Sequence, residues 1–305
     1  MNTPLVSIII PFYNAAATLA RTLESIHAST HRNYEVLLVD DASTDESPKI
    51  AAAFVREDAH VRLLTNEHNR HVSFCRNRAL DLARGDYVSF VDSDDWISPD
   101  WIANLLTAAD EADAEVVIGK SMQVLTGGAQ EYPMKGLSRR RSLTFGQLVF
   151  KDNCVVWNKL YSHALMEREK ARFDTEIQIG EDLLFNYNLL QAARGIFYSG
   201  SGYYFHQADN ETSIIRASTP ASRIENYEKL LAKLCANPRA LTKPYSAAPR
   251  KVARDILREH YRNPDCLLSE ATWERIKQLD RFLPAKTRAR HLRQTVHRAL
   301  RPGKA

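Results

Sequence analysis

Tyr34-Glu35-Val36-Leu37-Leu38-Val39-Asp40-Asp41-Ala42-Ser43 is the stretch on which the fold turns. From Tyr34 to Val39 it is apolar except for Glu35, and it then changes abruptly to carboxylates and small polar residues. A short apolar run without alternation reads as a strand buried on both faces, and the polar residues after it read as its carboxyl-end loop. Upstream, Leu5–Ile10 is a second such run between Pro4 and Pro11, and Ala15–Ser29 carries Leu19, Leu23 and Ile26 at helical spacing. Strand, helix, strand is the beginning of a βαβ unit.

Working outward, the alternation continues. Ser47–Glu57 reads as a short helix capped by Asp45 or Ser43, Val61–Thr65 as a strand, and Val72–Arg84 as a helix closed by Gly85. Tyr87–Val91 reads as a strand, Pro99–Ala112 as a helix and Ala114–Gly119 as a strand. Right-handed βαβ units of this kind build a mostly parallel sheet with flanking helices, a Rossmann-like α/β fold. After that the pattern loosens. Met122–Ser142 reads as a hairpin or loop excursion, Leu143–Lys151 and Asp182–Ala193 as helices, and Ile196–Tyr198 and Tyr203–His206 as two short strands. From about Ser222 the chain is helical and basic, broken by Pro238, Pro244 and Pro249 and divided by Pro264 and Pro284. We expect a domain over 1–218, with a nucleotide-binding half at 1–120 and an acceptor-binding half at 121–218. A helical basic region at 219–305 follows, after a soft boundary near 216–222.

Charge is distributed unevenly along the 305 residues, whose formal net charge is +4. Residues 1–120 carry 10 basic and 19 acidic side chains, residues 121–215 carry 10 of each, and residues 216–305 carry 21 basic and 8 acidic. A nucleic-acid binder would not concentrate acid in its first third, so nucleic acid is not an expected partner. With 44% hydrophobic residues the chain can bury a core, which argues against wholesale disorder. No apolar run approaches the roughly 18–20 residues that span a bilayer, and the opening Met1-Asn2-Thr3-Pro4 does not resemble a signal peptide. Cys75, Cys154, Cys235 and Cys266 form no CxxC pattern, so reduced thiols in a cytoplasmic protein are expected.

Ligands of open α/β sheets bind beyond the carboxyl ends of the strands. Three polar clusters fall there: Pro11-Phe12-Tyr13-Asn14, Asp40-Asp41-Ala42-Ser43 and Asp92-Ser93-Asp94-Asp95. Each alone is what ends a strand or caps a helix, and Asp95 reads as such a cap for the helix near Pro99. Together, on consecutive strands, they point to a site. Asp92 and Asp94 are costly to crowd unless a cation lies between them. Hard oxygen ligands without a His/Cys set favour Mg²⁺ or Mn²⁺, which keep positions open for phosphate oxygens.

These residues resemble the family 2 glycosyltransferases, which have the GT-A fold. The resemblance runs over about 5–215. It rests on Val6–Asn14, Glu35–Asp45, Arg76-Asn77, Gly85-Asp86-Tyr87, Phe90–Asp95, Trp157-Asn158-Lys159-Leu160-Tyr161 and Gly180-Glu181-Asp182-Leu183-Leu184-Phe185, in order. The resemblance implies a UDP-sugar donor, with Pro11, Tyr13 and Asn14 lining the base and Asp41, with Asp40 as neighbour, reaching uracil or ribose. Asp92 and Ser93 would face the nucleotide, and Asp92 and Asp94 would bind the metal; Arg76, like Lys159 and Arg216, is read equally well as a diphosphate partner or as a surface charge. The family's ED motif falls on Glu181-Asp182, which implies Asp182 as general base of an inverting transfer and Glu181 as its positioning neighbour or alternate. The same pair also suits a helix N-terminus, where acids complement the macrodipole. His206 stands where some members place a third metal ligand, and it is equally well read as a structural histidine among aromatics. Trp157, Asn158 and Lys159 correspond to acceptor-side segments of the bacterial surface-polysaccharide members, and Trp157 is equally well read as core.

The segment Glu67-His68-Asn69-Arg70-His71-Val72 departs from the family pattern, because it lacks the Gly that often follows the Asn. At the other end, residues 286–305 hold seven basic side chains and no acid, with Leu292, Val296, Ala299 and Leu300 able to share a helical face. Such a helix suits an anionic membrane surface, and a solvated tail is the plain alternative. The expectation is therefore a metal-dependent, inverting glycosyltransferase acting on a saccharide or lipid-linked saccharide, cytoplasmic or peripheral on the inner face of the cell membrane. A nucleotidyltransferase would want a Gly-rich basic phosphate loop where Phe12-Tyr13-Asn14-Ala15 stands. A non-catalytic glycan-binding module would have no use for both carboxylate sets.

Overall fold

Apolar strand runs explain the centre of the molecule. The computed structural model describes residues 3–131, 139–151, 155–208, 218–242, 245–263 and 265–279. The chain divides into two compact units, Met1–Ser213 and Ile214–Ala305.

The first unit opens with β1 (Val6–Phe12), α1 (Leu19–His27), β2 (Tyr34–Asp40), α2 (Ser47–Glu57), β3 (Val61–Thr65), α3 (His71–Leu80) and β4 (Tyr87–Phe90). It continues through β5 (Trp96–Ile97), α4 (Trp101–Ala112), β6 (Val116–Leu125), β7 (Gly128–Glu131), β8 (Arg141–Leu143), α5 (Phe145–Lys151) and β9 (Lys159–Ser162). It closes with α6 (His163–Arg168), α7 (Glu181–Leu189) and β10 (Ile196–Gln207). The sheet order is β3-β2-β1-β4-β9-β6-β10-β5, with β7 added to β6 and β8 to β10. Strands β3, β2, β1 and β4 are mutually parallel, as are β6 and β10. Antiparallel β9 joins the two parallel blocks.

Alternate residues of the central strands serve opposite cores. Ile8, Ile10, Val36 and Leu38 pack with Leu19, Leu23 and Ile26 of α1, while Ile9, Leu37 and Val39 pack with Cys75 and Ala79 of α3. Both faces are covered, which is why these strands read as unbroken apolar runs. Burying each such side chain is worth roughly 1.5–3 kcal/mol.

Several elements end differently from their sequence reading. Helix α3 stops at Leu80, well short of Gly85. Gly85 is needed for another reason: a Cβ there would lie 2.5 Å from the Ser7 backbone nitrogen and 2.7 Å from the Tyr87 carbonyl oxygen. Ser7 Oγ accepts from Gly85 N at 2.9 Å and donates to Glu35 Oε1 at 2.7 Å, so the close approach is bonded as well as packed. The two short strands expected at 196–206 are one strand, β10, whose register shifts between Tyr198 and Tyr203. Gly200 and Gly202 adopt φ +64° and +67° there, which lets the strand absorb the irregularity without ending. The 122–142 excursion begins as a hairpin, β6 with β7; residues 132–138 lie outside the described residues.

The second unit holds α8 (Pro220–Cys235), α9 (Ala247–Arg262) and α10 (Glu270–Leu279). Thr219 caps α8 by accepting from Ser222 N, with Pro220 in the first turn. Pro249, expected as a breaker, lies in the first turn of α9, where its missing N–H costs no helical bond. Arg216, Pro264, Pro284 and the basic run 286–305 lie outside the described residues. The described Cys75, Cys235 and Cys266 are free thiols.

Candidate active site

The first two strand-end loops hold each other in place. Asn14 and Ala42 both adopt left-handed backbone, φ +49° and +63°. Asn14 N donates to Ser43 Oγ at 3.0 Å, and Asn14 Oδ1 accepts from Thr44 N at 2.8 Å. The side chain of Asn14 thus clamps one loop to the other, where the sequence reading had it lining a base. Pro11 is buried beneath, and Tyr13 is 50% exposed, leaving its ring open on the loop surface. Asp45 accepts from Ser47 N at 3.0 Å and so caps α2 in effect.

Asp40 and Asp41 are both buried. Asp40 Oδ1 accepts from Ser43 N at 2.9 Å and shapes its own loop. Asp41 Oδ1 accepts from Asn66 Nδ2 at 2.7 Å and from Arg70 N at 2.8 Å. Asn66 and Arg70 in turn help line a cleft of about 260 Å³ with Thr65, Glu67, His68, Phe74 and Arg78, beyond the end of β3. Where the family pattern often has Gly, His71 takes φ +64° and begins α3.

The centre of the site is a carboxylate cluster around one arginine. Arg76 Nη2 donates to Asp92 Oδ1 at 3.0 Å. Arg76 Nη1 donates to Asp182 Oδ1 at 2.7 Å and, at 3.3 Å, to Glu181 Oε1. Helix α3 carries the arginine, the loop after β4 carries Asp92, and the first turn of α7 carries the acidic pair. The Arg76 side chain is 3% exposed and has Phe173 and Phe90 beneath it, 5.1 and 6.0 Å from the ring centroids. Its Nε–H has no partner among the described residues. Arg76 was expected to meet a diphosphate or stand at the surface; its guanidinium is instead enclosed by carboxylates. Gly180, at φ +86°, turns the chain into α7. Asp182 Oδ2 accepts from Val156 N at 3.1 Å, which fixes the carboxylate from a second side.

Burial dominates the electrostatics here. It pushes the Glu181 carboxyl up, with the Asp182 charge adding to it, and the Arg76 charge opposes without prevailing. Asp182 is also raised by burial, with the Asp92 charge adding to it, while Arg76, Val156 N and Lys159 favour its ionised form. Arg76 is raised despite its burial, by Asp182, Asp92 and Glu181. Three carboxylates face one guanidinium, so the cluster favours a further proton or cation.

A second network lies behind Asp92. Its backbone N–H donates to Tyr204 Oη at 3.1 Å, and Tyr204 Oη donates to Asp95 Oδ2 at 2.7 Å. Asp95 also accepts from Gln207 N at 2.8 Å and lies 3.3 Å from His206 Nδ1. Asp95 is therefore an anchor to β10 and no helix cap; Ser98 O takes the Trp101 N–H at the start of α4. Burial raises Asp95 to about 6 against the His206 hydrogen bond, and that carboxylate in turn holds His206 up against its own burial.

The three residues expected on the acceptor side are inside the protein. Trp157 is 5% exposed and stacks on Tyr204 at 5.0 Å and on His206 at 4.9 Å. Asn158, at φ +59°, donates to Ser121 Oγ at 2.7 Å. Lys159 is fully buried, donating from Nζ to Val155 O at 2.6 Å and to Asn158 Oδ1 at 3.1 Å. They offer no surface to an acceptor; they brace the strand that joins the two parallel blocks.

Among the described residues no group of three or more His, Cys, Asp or Glu side chains is arranged to hold a metal ion. Asp92 and Asp94 are both partly exposed beside the cluster, and such a carboxylate pair matches the donor set a divalent cation takes when phosphate oxygens complete its shell. Asp95 engages His206 at Nδ1, the outer-carboxylate arrangement usual for a metal-binding histidine, and Nε2 is the ring nitrogen left for a ligand. The residues present fit a metal–diphosphate.

Strand-end acids on a mostly parallel sheet, with a carboxylate pair at a helix start, define a mixed α/β protein of the GT-A class. S. aureus TarS, crystallised with UDP-GlcNAc, is similar in fold: TM-score 0.66 at 23% identity, over 85% of this chain and 73% of that one. The chain belongs to glycosyl transferase family 2, whose model matches residues 7–172. It is 30% identical over 223 residues to the putative glycosyltransferase EpsH of Bacillus subtilis, covering 68% of this chain and 62% of that protein. It is 29% identical over 222 residues to the succinoglycan biosynthesis protein ExoO of Rhizobium meliloti, covering 70% of this chain and 63% of that protein. The chain thus spans less than two thirds of the length of these two relatives.

Proposed function

We propose that this chain transfers a sugar, with inversion, from a UDP-sugar to a saccharide or lipid-linked saccharide acceptor in the building of a surface polysaccharide. The observation that carries the reading is the placement of Asp182 and Glu181 beside Asp92, across the shared Arg76. Base-side and donor-side carboxylates belong together only if acceptor and diphosphate meet there. Asp182 accepts the proton of the attacking acceptor hydroxyl, whose oxygen bonds the anomeric carbon as the bond to the UDP oxygen breaks. Its two outside donors, Arg76 Nη1 and Val156 N, hold it in one orientation and favour the ionised form a base needs. Glu181, raised by burial and by the Asp182 charge, is the neighbour that retains a proton. A divalent cation, Mn²⁺ or Mg²⁺, held by Asp92 and Asp94 with His206 Nε2, would stabilise the charge growing on departing UDP. Tyr13 covers the base, over Pro11, and Asp41 reaches uracil or ribose, with Asp40, Asn14 and Ser93 shaping the loops around them.

Residues 1–218 form the catalytic domain in this reading, and the helical region at 219–305 serves acceptor delivery. No helix among the described residues is long and apolar enough to cross a membrane. Work at an anionic membrane surface therefore rests on 286–305, and removal of those residues should weaken binding to anionic liposomes. The test of the whole proposal is UDP release from a panel of UDP-sugars, with and without Mn²⁺. Asp182→Asn should keep UDP binding and lower transfer by about 10²–10⁴-fold. Full transfer by Asp182→Asn would remove the base assignment, and a wild type that binds no nucleotide sugar would remove the function.

A further inference from the structure

Arg76 touches both halves of the proposed reaction. Residues from two remote segments close on it, Asp92 from one and Glu181 with Asp182 from the other. Aromatic rings lie beneath it and its side chain is 3% exposed, so the guanidinium is largely shut off from solvent and its polar contacts are the cluster's carboxylates. Its bonds are unequal. The contact to Asp182 is short at 2.7 Å, the contact to Glu181 is long at 3.3 Å, and Nε–H has no partner among the described residues. A buried arginine with one stretched and one unmade bond has donor capacity in reserve. With Glu181 protonated, the one positive charge of Arg76 still leaves one of the two remaining negative charges, on Asp92 and Asp182, uncompensated, a shortfall a divalent cation would cover.

We propose that Arg76 is a positioning residue that stands in part of the cation's place, sharing itself between Asp92 and the base pair and giving up Asp92 when metal and diphosphate are taken up. This rests on the functional reading above. Release of Asp92 turns Nη2 and the reserve donor capacity toward Glu181 and Asp182. The number of donors on the base pair is thereby tied to donor loading, and the acceptor hydroxyl meets a Glu181–Asp182 pair held more strongly once the donor is present. Arg76 is then a competitor of the cation and makes no bond to the diphosphate, which reverses the sign of its effect on binding.

Calorimetric titration with Mn²⁺ alone, and with UDP plus Mn²⁺, separates the two roles. Arg76→Gln removes the competing charge and should bind Mn²⁺ about 5-fold or more tightly than wild type, whereas Arg76→Lys, which keeps the charge, should show no such gain. Weaker UDP binding by Arg76→Gln with unchanged Mn²⁺ affinity would mean a direct diphosphate contact and overturns the proposal. Three clustered, partly buried carboxylates left without Arg76 threaten the folding of Arg76→Gln, so a second measurement uses wild type. Side-chain ¹H–¹⁵N spectra, with Arg76 assigned by its loss in Arg76→Lys, should show the Arg76 Nη signals shifting when Mg²⁺ and UDP are added. Signals that stay put while UDP binds overturn the coupling and leave the functional reading standing. A wild type that binds neither UDP nor metal overturns both.

Discussion

Replacing Lys159 by Met tests whether the strand joining the two parallel blocks is braced from within. The side chain is fully buried, and its Nζ donates to Val155 O at 2.6 Å and Asn158 Oδ1 at 3.1 Å. Met keeps most of the volume and removes the ammonium together with these bonds. Val155 O also accepts from Asn186 Nδ2 at 3.1 Å, so it keeps a partner. Asn158 Oδ1 loses its charged donor, at a cost of about 1–3 kcal/mol for a buried polar atom. Relief from desolvating an ammonium offsets part of the loss, and the charge-assisted bond to Val155 restores part of it. The net expectation is a destabilisation of about 2 kcal/mol. Urea unfolding followed by tryptophan fluorescence is the assay, since Trp96, Trp101 and Trp157 all belong to the first unit. An unfolding free energy within about 0.5 kcal/mol of wild type, the range of ordinary surface substitutions, would refute the internal role and return Lys159 to the acceptor side.

Gly85→Ala forces a methyl to 2.5 Å from the Ser7 backbone nitrogen and should cost about 1–3 kcal/mol or more, visible as a lowered melting temperature. Tyr204→Phe removes the hydroxyl between Asp92 N and Asp95, and should destabilise by about 1–3 kcal/mol in the same assay. Asp94→Ala should abolish the gain in UDP affinity that Mn²⁺ brings, measured by calorimetry. Glu181 and Asp182 have raised native values, so the folded state holds protons that the unfolded chain releases above its ordinary carboxylate range. Without metal, stability should therefore fall as pH rises from that range toward the native values. Urea unfolding at about pH 5.5 and pH 8 should show this slope in wild type and a shallower one in Glu181→Gln.

The fold was legible wherever local chemistry decides it. Helix α2 runs over Ser47–Glu57 as its proline and acidic cap imply, and the central strands fall within a residue or two of their apolar runs. Misreadings arose where a residue answers to something distant. Gly85 looks like a helix stop and is a contact with Ser7, 78 residues away. Trp157, Asn158 and Lys159 look like a ligand motif because a satisfied buried polar network uses the same residue types as a binding surface. Asp40, Asp41, Asp92 and Asp94 stand out in the sequence at strand ends, whereas Glu181 and Asp182 open a helix and stand out only through the family resemblance. Their partnership with Arg76, and the bridge from Asp92 through Tyr204 to Asp95, leave no local trace.

The separation within the cluster also has a consequence for how the protein is made. Arg76 and Asp182 stand 106 residues apart, and Asp92 lies 112 residues from Tyr204. During synthesis the β1–β4 block can close with only Asp92 beside Arg76. The other two carboxylates emerge seconds later, at about 5–20 residues per second. Contacts of this span are costly to close and form late. A nascent chain would thus hold a complete nucleotide-side scaffold before it holds any base, and a ribosome-released fragment lacking α7 would be inert as a transferase in this reading.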